Sequence, residues 1–176
     1  MIRPLLLAAV LPLLTAAFIP SSPSLGTADA QCRPGETGPA LMIEVVGLKD
    51  HVGKLKVEVY PGVDGDWLQD DNKLVMAGKT FRRIEGPVPG EAVPHICVRL
   101  PGPGRVGVMV LHDRDSNHHF NYQRDGIGFS RNPHLGLSQP SASGVAITVG
   151  PGVTPLRVVM NYRTGILSFG PLAGVQ

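Results

Sequence analysis

The chain has 176 residues and a formal net charge of +2 at pH 7, which is the size of one ordinary domain. Because the charge is small and the basic residues are scattered, the composition excludes a surface built for nucleic acid or for anionic membranes. The 22 glycines and 17 prolines are spread along the chain, and helical apolar periodicity is nearly absent, so we also exclude alternating βαβ units.

Residues 1–30 have the layout of a secretory leader. Arg3 supplies a positive charge, an apolar run extends from Leu5 to Ile19, and small residues lead to Ala28-Asp29-Ala30. We predict a signal peptide over 1–30 that is cleaved after Ala30, a periplasmic or secreted location, and no transmembrane anchor after processing. A retained membrane anchor is one alternative, but the apolar run is shorter than the roughly 20 residues of a spanning helix. A lipidated Cys32 is another, which the residues before it do not favour.

The two cysteines, Cys32 and Cys97, are predicted to form a disulfide. Pairing is the expected state of two cysteines in an oxidising compartment. The bond would tie an N-terminal extension, residues 31–40, to a strand. The alternative of a redox-active pair lacks the Cys-x-x-Cys spacing.

Short runs rich in Val, Ile and Leu, separated by Gly and Pro turns, predict strands along the rest of the chain. The runs are 41–48, 53–60, 79–84, 95–100, 105–112, 144–149 and 154–162. Run 53–60 alternates apolar and charged residues, which predicts one dry and one wet face. Run 105–112 looks buried on both faces at its end, and a short helix or an extended excursion is predicted near 67–75.

This pattern predicts an all-β fold, a single antiparallel β-sandwich of about seven strands over residues 41–165. Its type would be immunoglobulin-like or transthyretin-like. The C-terminal tail, residues 166–176, would add an edge strand or stay loose.

A long polar segment, residues 112–134, follows the most apolar strand. Oxygen-bearing side chains recur in it at the spacing of a calcium loop: Asp113, Asp115, Asn117, Asn121 and Asp125. Alternate side chains of a tight turn converge on one hard cation, so Ca²⁺ is the candidate cofactor. However, His118 stands where a turn glycine is expected, and Arg124 where a bidentate Glu would close the shell. The alternative is a turn that Asp and Asn side chains hold by hydrogen bonds without metal.

Histidines in the same segment, His112, His118, His119 and His134, raise the alternative of a Zn or Cu site. Adjacent His118 and His119 point in different directions in most backbone geometries, which weakens that reading. The acidic residues at 64, 66, 70 and 71 could be imagined as paired catalytic carboxylates, but their turn-rich setting favours a solvated loop.

One stretch of the segment resembles a known family. The matching residues are His112-Asp113, Asp115, Asn117, Phe120-Asn121, Gly126, Gly128-Phe129-Ser130 and Asn132. They are similar to the hallmark of an exported bacterial family called domain of unknown function 2141, and the resemblance extends over residues 41–162. It implies an exported sandwich fold and no particular activity. The chain departs from the family pattern at His118, where the family has a turn glycine, and at Asn121, where it has an acidic residue.

The sequence therefore favours a non-enzymatic module that binds a ligand or partner, such as a cell-envelope component, through the 112–134 segment. Candidate ligand-binding residues are His112, His118, His119, Phe129 and Ser130. A calcium-binding module and a metal-assisted hydrolase that uses the His/Asp cluster are the alternatives. A structural envelope component is a third. No catalytic residue is identified.

Overall fold

The computed structural model describes residues 18–136, 138–166 and 168–175. Within them the elements are β1 Ala40–Val46, β2 Lys54–Pro61, α1 Asp71–Met76, β3 Arg82–Pro87, β4 His95–Arg99, β5 Gly104–Asp113, β6 Gly126–Phe129, α2 Ala142–Val145, β7 Ile147–Val149, β8 Val153–Val159, β9 Asn161–Arg163 and β10 Phe169–Pro171. The all-β prediction is confirmed.

The strands form two sheets. The smaller has the order β4-β1-β8, and the larger has the order β10-β9-β6-β5-β2-β3 with β7 also paired to β5. The pairing is antiparallel except between β1 and β8, which run parallel. The predicted two-sheet sandwich is confirmed, with more strands than the seven expected.

The predicted strand 154–162 is in fact two strands, β8 in the small sheet and β9 in the large one. Met160 lies between them and donates its backbone N–H to the carbonyl of Val46 at 2.9 Å. The chain therefore crosses from one sheet to the other at Met160, whose side chain is fully buried. The sequence does not indicate such a crossing, because the run of apolar residues is continuous and both of its halves face the same core.

The core between the sheets is built from alternate residues of the central strands, as the period-2 pattern predicts. Its members include Leu41, Ile43 and Val45 of β1, Leu55, Val57 and Val59 of β2, and Val106, Val108 and Val110 of β5.

The outer face of the large sheet is also covered, by a second cluster that includes Trp67, Leu74, Phe81, Phe129 and Val145. Its residues come from α1, α2, the segments around them and the strands β2 and β6. As predicted, β5 is buried on both faces at its end, because Val110 and the next residue Leu111 are both buried. Gly107 leaves room for the Trp67 ring, which a Cβ at that position would strike.

The polar face of β2 is not wet, contrary to the prediction from its alternation. Lys56 and Glu58 are 8% and 3% exposed. The Glu58 carboxylate accepts hydrogen bonds from Arg83 Nε at 2.7 Å and from the Tyr60 hydroxyl at 2.6 Å, and Lys56 Nζ lies 3.6 Å from it. Charge pairing makes burial of this face tolerable, because each ion finds a partner of opposite sign.

Arg83 extends this network to α1. Its Nη2 donates to Asp71 Oδ2 at 3.1 Å, and Asp71 is buried. The prediction that Asp71 belongs to a solvated acidic loop was therefore wrong. Burial and the neighbouring Glu58 carboxylate raise the pKa of Tyr60, so its hydroxyl stays a donor to Glu58.

The predicted disulfide is confirmed, with Cys32 and Cys97 joined at a Cα–Cα distance of 5.6 Å. Of the predicted leader, residues 1–17 lie outside the described chain, and residues 18–30 precede the disulfide. The helices of the described chain have six and four residues, and neither has the length or apolar character of a membrane span.

Candidate functional site

The 112–134 segment leaves the end of β5 and contains β6. It brings together three of the five predicted calcium ligands: oxygens of Asp113, Asp115 and Asp125 lie within 4.8 Å of one another. Asp113 and Asp125 are buried. Carboxylate oxygens are ligands that Ca²⁺ prefers, but a full shell needs about six to eight oxygens.

Backbone amides already occupy the two buried carboxylates. Asp113 accepts N–H groups from Asn117 at 3.2 Å and His118 at 2.7 Å. Asp125 accepts N–H groups from Arg114 at 2.9 Å and Asn121 at 2.7 Å. Each oxygen thus closes one hydrogen-bonded turn, which is the arrangement expected of a segment shaped by its own Asp residues.

The remaining predicted ligands act in the same way. Asn117 Oδ1 accepts the N–H of His119 at 2.8 Å, and Asn121 Oδ1 accepts the N–H of Gln123 at 2.9 Å. His118 has a φ of +69°, so this position does adopt the left-handed conformation in which the calcium pattern expects glycine. The turn is made without that glycine.

Replacing Asp125 by alanine is expected to destabilise the protein by about 2–4 kcal/mol, because two backbone amides lose a charged acceptor at a buried position. The exposed Asp115 provides the matched control, and its replacement by alanine is expected to cost less than about 0.5 kcal/mol. Urea unfolding measures both values. Repeating the unfolding in about 1 mM CaCl₂ tests the metal prediction, because this concentration saturates calcium sites of sensor affinity. If calcium raised the free energy of unfolding of the unsubstituted protein strongly but not that of either variant, a purely hydrogen-bonded turn would be contradicted.

The histidines of the segment do not converge. The group of Asp113, Asp115 and Asp125 is the one set of three or more possible metal ligands in the described residues, and it contains no imidazole. His118 Nδ1 lies 3.0 Å from Glu85 Oε1, whereas His119 and His134 are exposed. The geometry therefore gives no support to a zinc or copper centre among these residues.

His112 is fully buried and both of its ring nitrogens have partners. Nε2 lies 2.8 Å from the carbonyl of Val52, and Nδ1 lies 2.6 Å from the hydroxyl of Tyr162. A carbonyl can only accept, so Nε2 carries the proton and the Tyr162 hydroxyl donates to Nδ1. That hydroxyl in turn accepts the N–H of Lys49 at 3.1 Å. His112 therefore joins the β1–β2 turn to β5 and β9.

Burial lowers the pKa of His112 below its ordinary value of 6.5, although the Val52 carbonyl and Asp50 oppose this change. Burial likewise raises the pKa of Tyr162 to about 12, so the donor of this hydrogen bond stays protonated across the physiological range.

Stability is expected to fall as the pH drops below about 6.5. Because the folded pKa of His112 is the lower one, the unfolded chain binds the proton more readily, and acid pulls the equilibrium toward it. The stabilisation is complete above 6.5 and is lost as the pH falls toward the folded pKa. Urea unfolding at several pH values should show a flatter profile for His112→Gln than for the control His134→Gln; parallel profiles would refute the assignment.

Of the two predicted ligand-binding residues Phe129 and Ser130, only Phe129 borders a cavity. The Ser130 hydroxyl is buried, donates to the carbonyl of Val145 at 2.6 Å and accepts the N–H of Val108 at 3.0 Å. It is therefore part of the fold. Phe129 is also buried, but it lines a cavity on the outer face of the large sheet.

This cavity, hereafter the aromatic groove, has a volume of about 450 Å³. Its walls come from the 112–134 segment, the residues that follow it, the β9–β10 hairpin and the turn before α1. Lining residues include Leu68, Phe120, Tyr122, Phe129, Leu135 and Phe169. Sequence reasoning missed the groove, although the Phe120-x-Tyr122 pair inside an otherwise polar segment was a usable indication.

Three aromatic rings are ordered against one another in the groove. The rings of Tyr122 and Phe169 stack with centroids 5.2 Å apart, and Phe120 meets Phe169 edge-on at 5.9 Å. The N–H of Asn121, which lies between Phe120 and Tyr122, is the one that Asp125 holds. The residues predicted to bind calcium therefore fix the backbone that carries two of these rings.

The hydroxyl of Tyr122 is buried and has no hydrogen-bond partner among the described residues. An unpaired buried hydroxyl costs free energy, commonly about 1–3 kcal/mol. The indole N–H of Trp67 donates to the carbonyl of Pro140, a residue that lines the groove, at 2.9 Å and so anchors this part of the wall.

A family model described as "Uncharacterized protein conserved in bacteria (DUF2141)" matches residues 43–157, well over half of the chain. The chain belongs to this family. No match was found among curated proteins or among solved structures.

The family match covers most of the sandwich and all of the 112–134 segment, which confirms the resemblance drawn from His112-Asp113 and Gly128-Phe129-Ser130. It ends before β9 and β10, so Ile166 and Phe169, which line one side of the aromatic groove, lie outside the match. The C-terminal tail of this chain therefore supplies groove residues that the family match does not cover.

Proposed function

We propose that this protein is a binding module that takes a small, neutral, planar and largely apolar ligand into the aromatic groove. The observation that carries the proposal is the groove itself: about 450 Å³ of space walled by aromatic and aliphatic side chains. Pockets for small molecules have volumes of about 300–1,000 Å³ and are mostly apolar with a few polar groups.

The rim of the groove supports the proposal. Phe120 is 43% exposed and Ile166 is 83% exposed, and both line the groove. Exposed apolar side chains that border one cavity are typical of a binding surface rather than of scattered surface residues. A planar ligand would gain from stacking on rings of this kind.

The polar groups of the groove limit the ligand's chemistry. None of the described lining residues is charged, so a charged ligand would lose its hydration without a compensating partner. The Tyr122 hydroxyl, which has no partner among the described residues, is suited to one hydrogen bond with the ligand. With His112 and Ser130 already bonded within the fold, the groove offers no described nucleophile–base pair, which favours binding over catalysis.

Fluorescence titration with N-phenyl-1-naphthylamine, a neutral planar probe, tests the proposal. We expect saturable binding that Phe120→Ser weakens at least about fivefold, because an apolar ring contact is lost. Tyr122→Phe removes one neutral hydrogen bond and is expected to weaken binding about 2- to 10-fold. Val63→Ser, at an exposed apolar residue that does not line the groove, is the matched control.

Equal binding by Phe120→Ser and Val63→Ser, or no saturable binding at all, would refute this function. Circular dichroism and melting temperature of each variant establish that the fold is retained. Asp125→Ala gives a further check. It releases the Asn121 amide, which lies between Phe120 and Tyr122, and is therefore expected to weaken binding of the probe as well.

A further inference from the structure

Residues 18–31, the N-terminal strap, are built into the sandwich. Ala30 is fully buried, and its carbonyl accepts the N–H of Arg99 at 2.7 Å. Gln31 pairs with Val98 in an antiparallel bridge. The strap thus extends the small sheet at the free edge of β4, and the disulfide at Cys32 follows directly.

The earlier part of the strap packs on β3. The carbonyl of Gly26 accepts the N–H of Arg83 at 2.9 Å, and the Arg83 Nη1 donates to the carbonyl of Ser22 at 2.8 Å. Gly26 has a φ of +78° and lies against the ring of Phe81, which a Cβ would strike. Phe81 is itself buried, so the strap covers part of the second apolar cluster.

We propose that the leader is removed after Ala17, so that the exported protein begins at Phe18 and keeps the strap. The proposal rests on the leader predicted from the sequence, but it moves the cleavage from Ala30 to an earlier position. Thr15-Ala16-Ala17 follows the apolar stretch Leu5–Leu14 directly, which is the small-x-small spacing that a signal peptidase needs.

Cleavage after Ala30 conflicts with the packing. It would remove the strap acceptors of the Arg99 and Arg83 backbone amides on the edge strands β4 and β3, and it would expose the buried ring of Phe81 to water. Cleavage after Ala17 removes none of these contacts. The strap is therefore part of the folded domain and not of its targeting segment.

The test is intact mass and N-terminal sequencing of the full chain, expressed with its own leader in a bacterium and recovered from the periplasm. We expect Phe18 as the first residue. Ala17→Tyr should accumulate the precursor, whereas Ala28→Tyr, at an exposed position two residues before Ala30, should be processed normally. An N-terminus at Gln31, an intact Met1, or any start other than Phe18 would overturn the proposal.

A pair of glycine variants tests retention of the strap independently. Gly26 and Gly35 both have positive φ, at +78° and +72°, but a Cβ at Gly35 meets nothing within 4 Å. Gly26→Ala is expected to lower the melting temperature of the exported protein by about 5 °C more than Gly35→Ala. A Gly26→Ala protein that melts like the unsubstituted one would show that the strap is absent or unattached, and would overturn the proposal.

Discussion

Replacing Arg83 by alanine is expected to destabilise the protein by about 3–5 kcal/mol, because it leaves the buried Asp71 carboxylate without a cation and Glu58 with only Lys56, 3.6 Å away. Arg83 lies between Glu58 at 2.7 Å and Asp71 at 3.1 Å, and all three side chains are at most 10% exposed. It also donates to the strap carbonyl of Ser22. One substitution would therefore disturb β2, β3, α1 and the strap together.

The size of this effect depends on unpaired charge, which a second variant can separate from lost packing. In Arg83→Met combined with Asp71→Asn, Glu58 keeps Lys56 as its cation at 3.6 Å, no buried ion is left unpaired, and at least half of the loss should be recovered. Arg105→Ala, at an exposed arginine, is the matched control and should change the free energy of unfolding by less than about 0.5 kcal/mol. Urea unfolding measures all three proteins, and an Arg83→Met/Asp71→Asn double variant no more stable than Arg83→Ala would contradict the charge explanation.

The strands that depend on local pattern could be predicted from the sequence. The alternation of β2 identified its core residues Leu55, Val57 and Val59, and the two cysteines identified the disulfide. These features are local, or follow from a count, so they need no knowledge of distant partners.

The polar face of β2 could not be predicted in the same way. A Lys or Glu that alternates with valine indicates which side the residue faces, but not what lies above that side. Here α1, β3 and the strap supply Asp71, Arg83 and the Ser22 carbonyl, which come from three separate parts of the sequence. The parallel pairing of β1 with β8 is hidden for the same reason, since Ala40 meets Val153 in register.

The candidate site was predicted in position but not in chemistry. The 112–134 segment does border the aromatic groove, but its Asp and Asn side chains accept hydrogen bonds from the segment's own backbone, whereas its aromatic residues form part of the walls. Asp and Asn have the same spacing in a metal loop and in a hydrogen-bonded turn, because both use alternate side chains on a tight bend. Phe169 and Leu68, which complete the groove, are too far away in sequence to be associated with it.

Substituting both Cys32 and Cys97 by serine is expected to destabilise the protein by about 4 kcal/mol in the chain-entropy view, because the bond closes a long loop in the unfolded chain. The cysteines are 65 residues apart in sequence. The loss would fall first on the strap, whose Ala30–Arg99 and Gln31–Val98 contacts lie beside the bond.

The measurement is urea unfolding with and without a thiol reductant. The unsubstituted protein should lose stability on reduction by about the same amount as the double variant loses by mutation, while the double variant should not respond to reductant at all. Protection of the Arg99 amide against hydrogen exchange reports on the strap, and it should fall more than that of core amides in β5. If neither mutation nor reduction changed the free energy of unfolding, the sheet contacts alone would hold the strap. The disulfide would then add nothing to the stability of the protein.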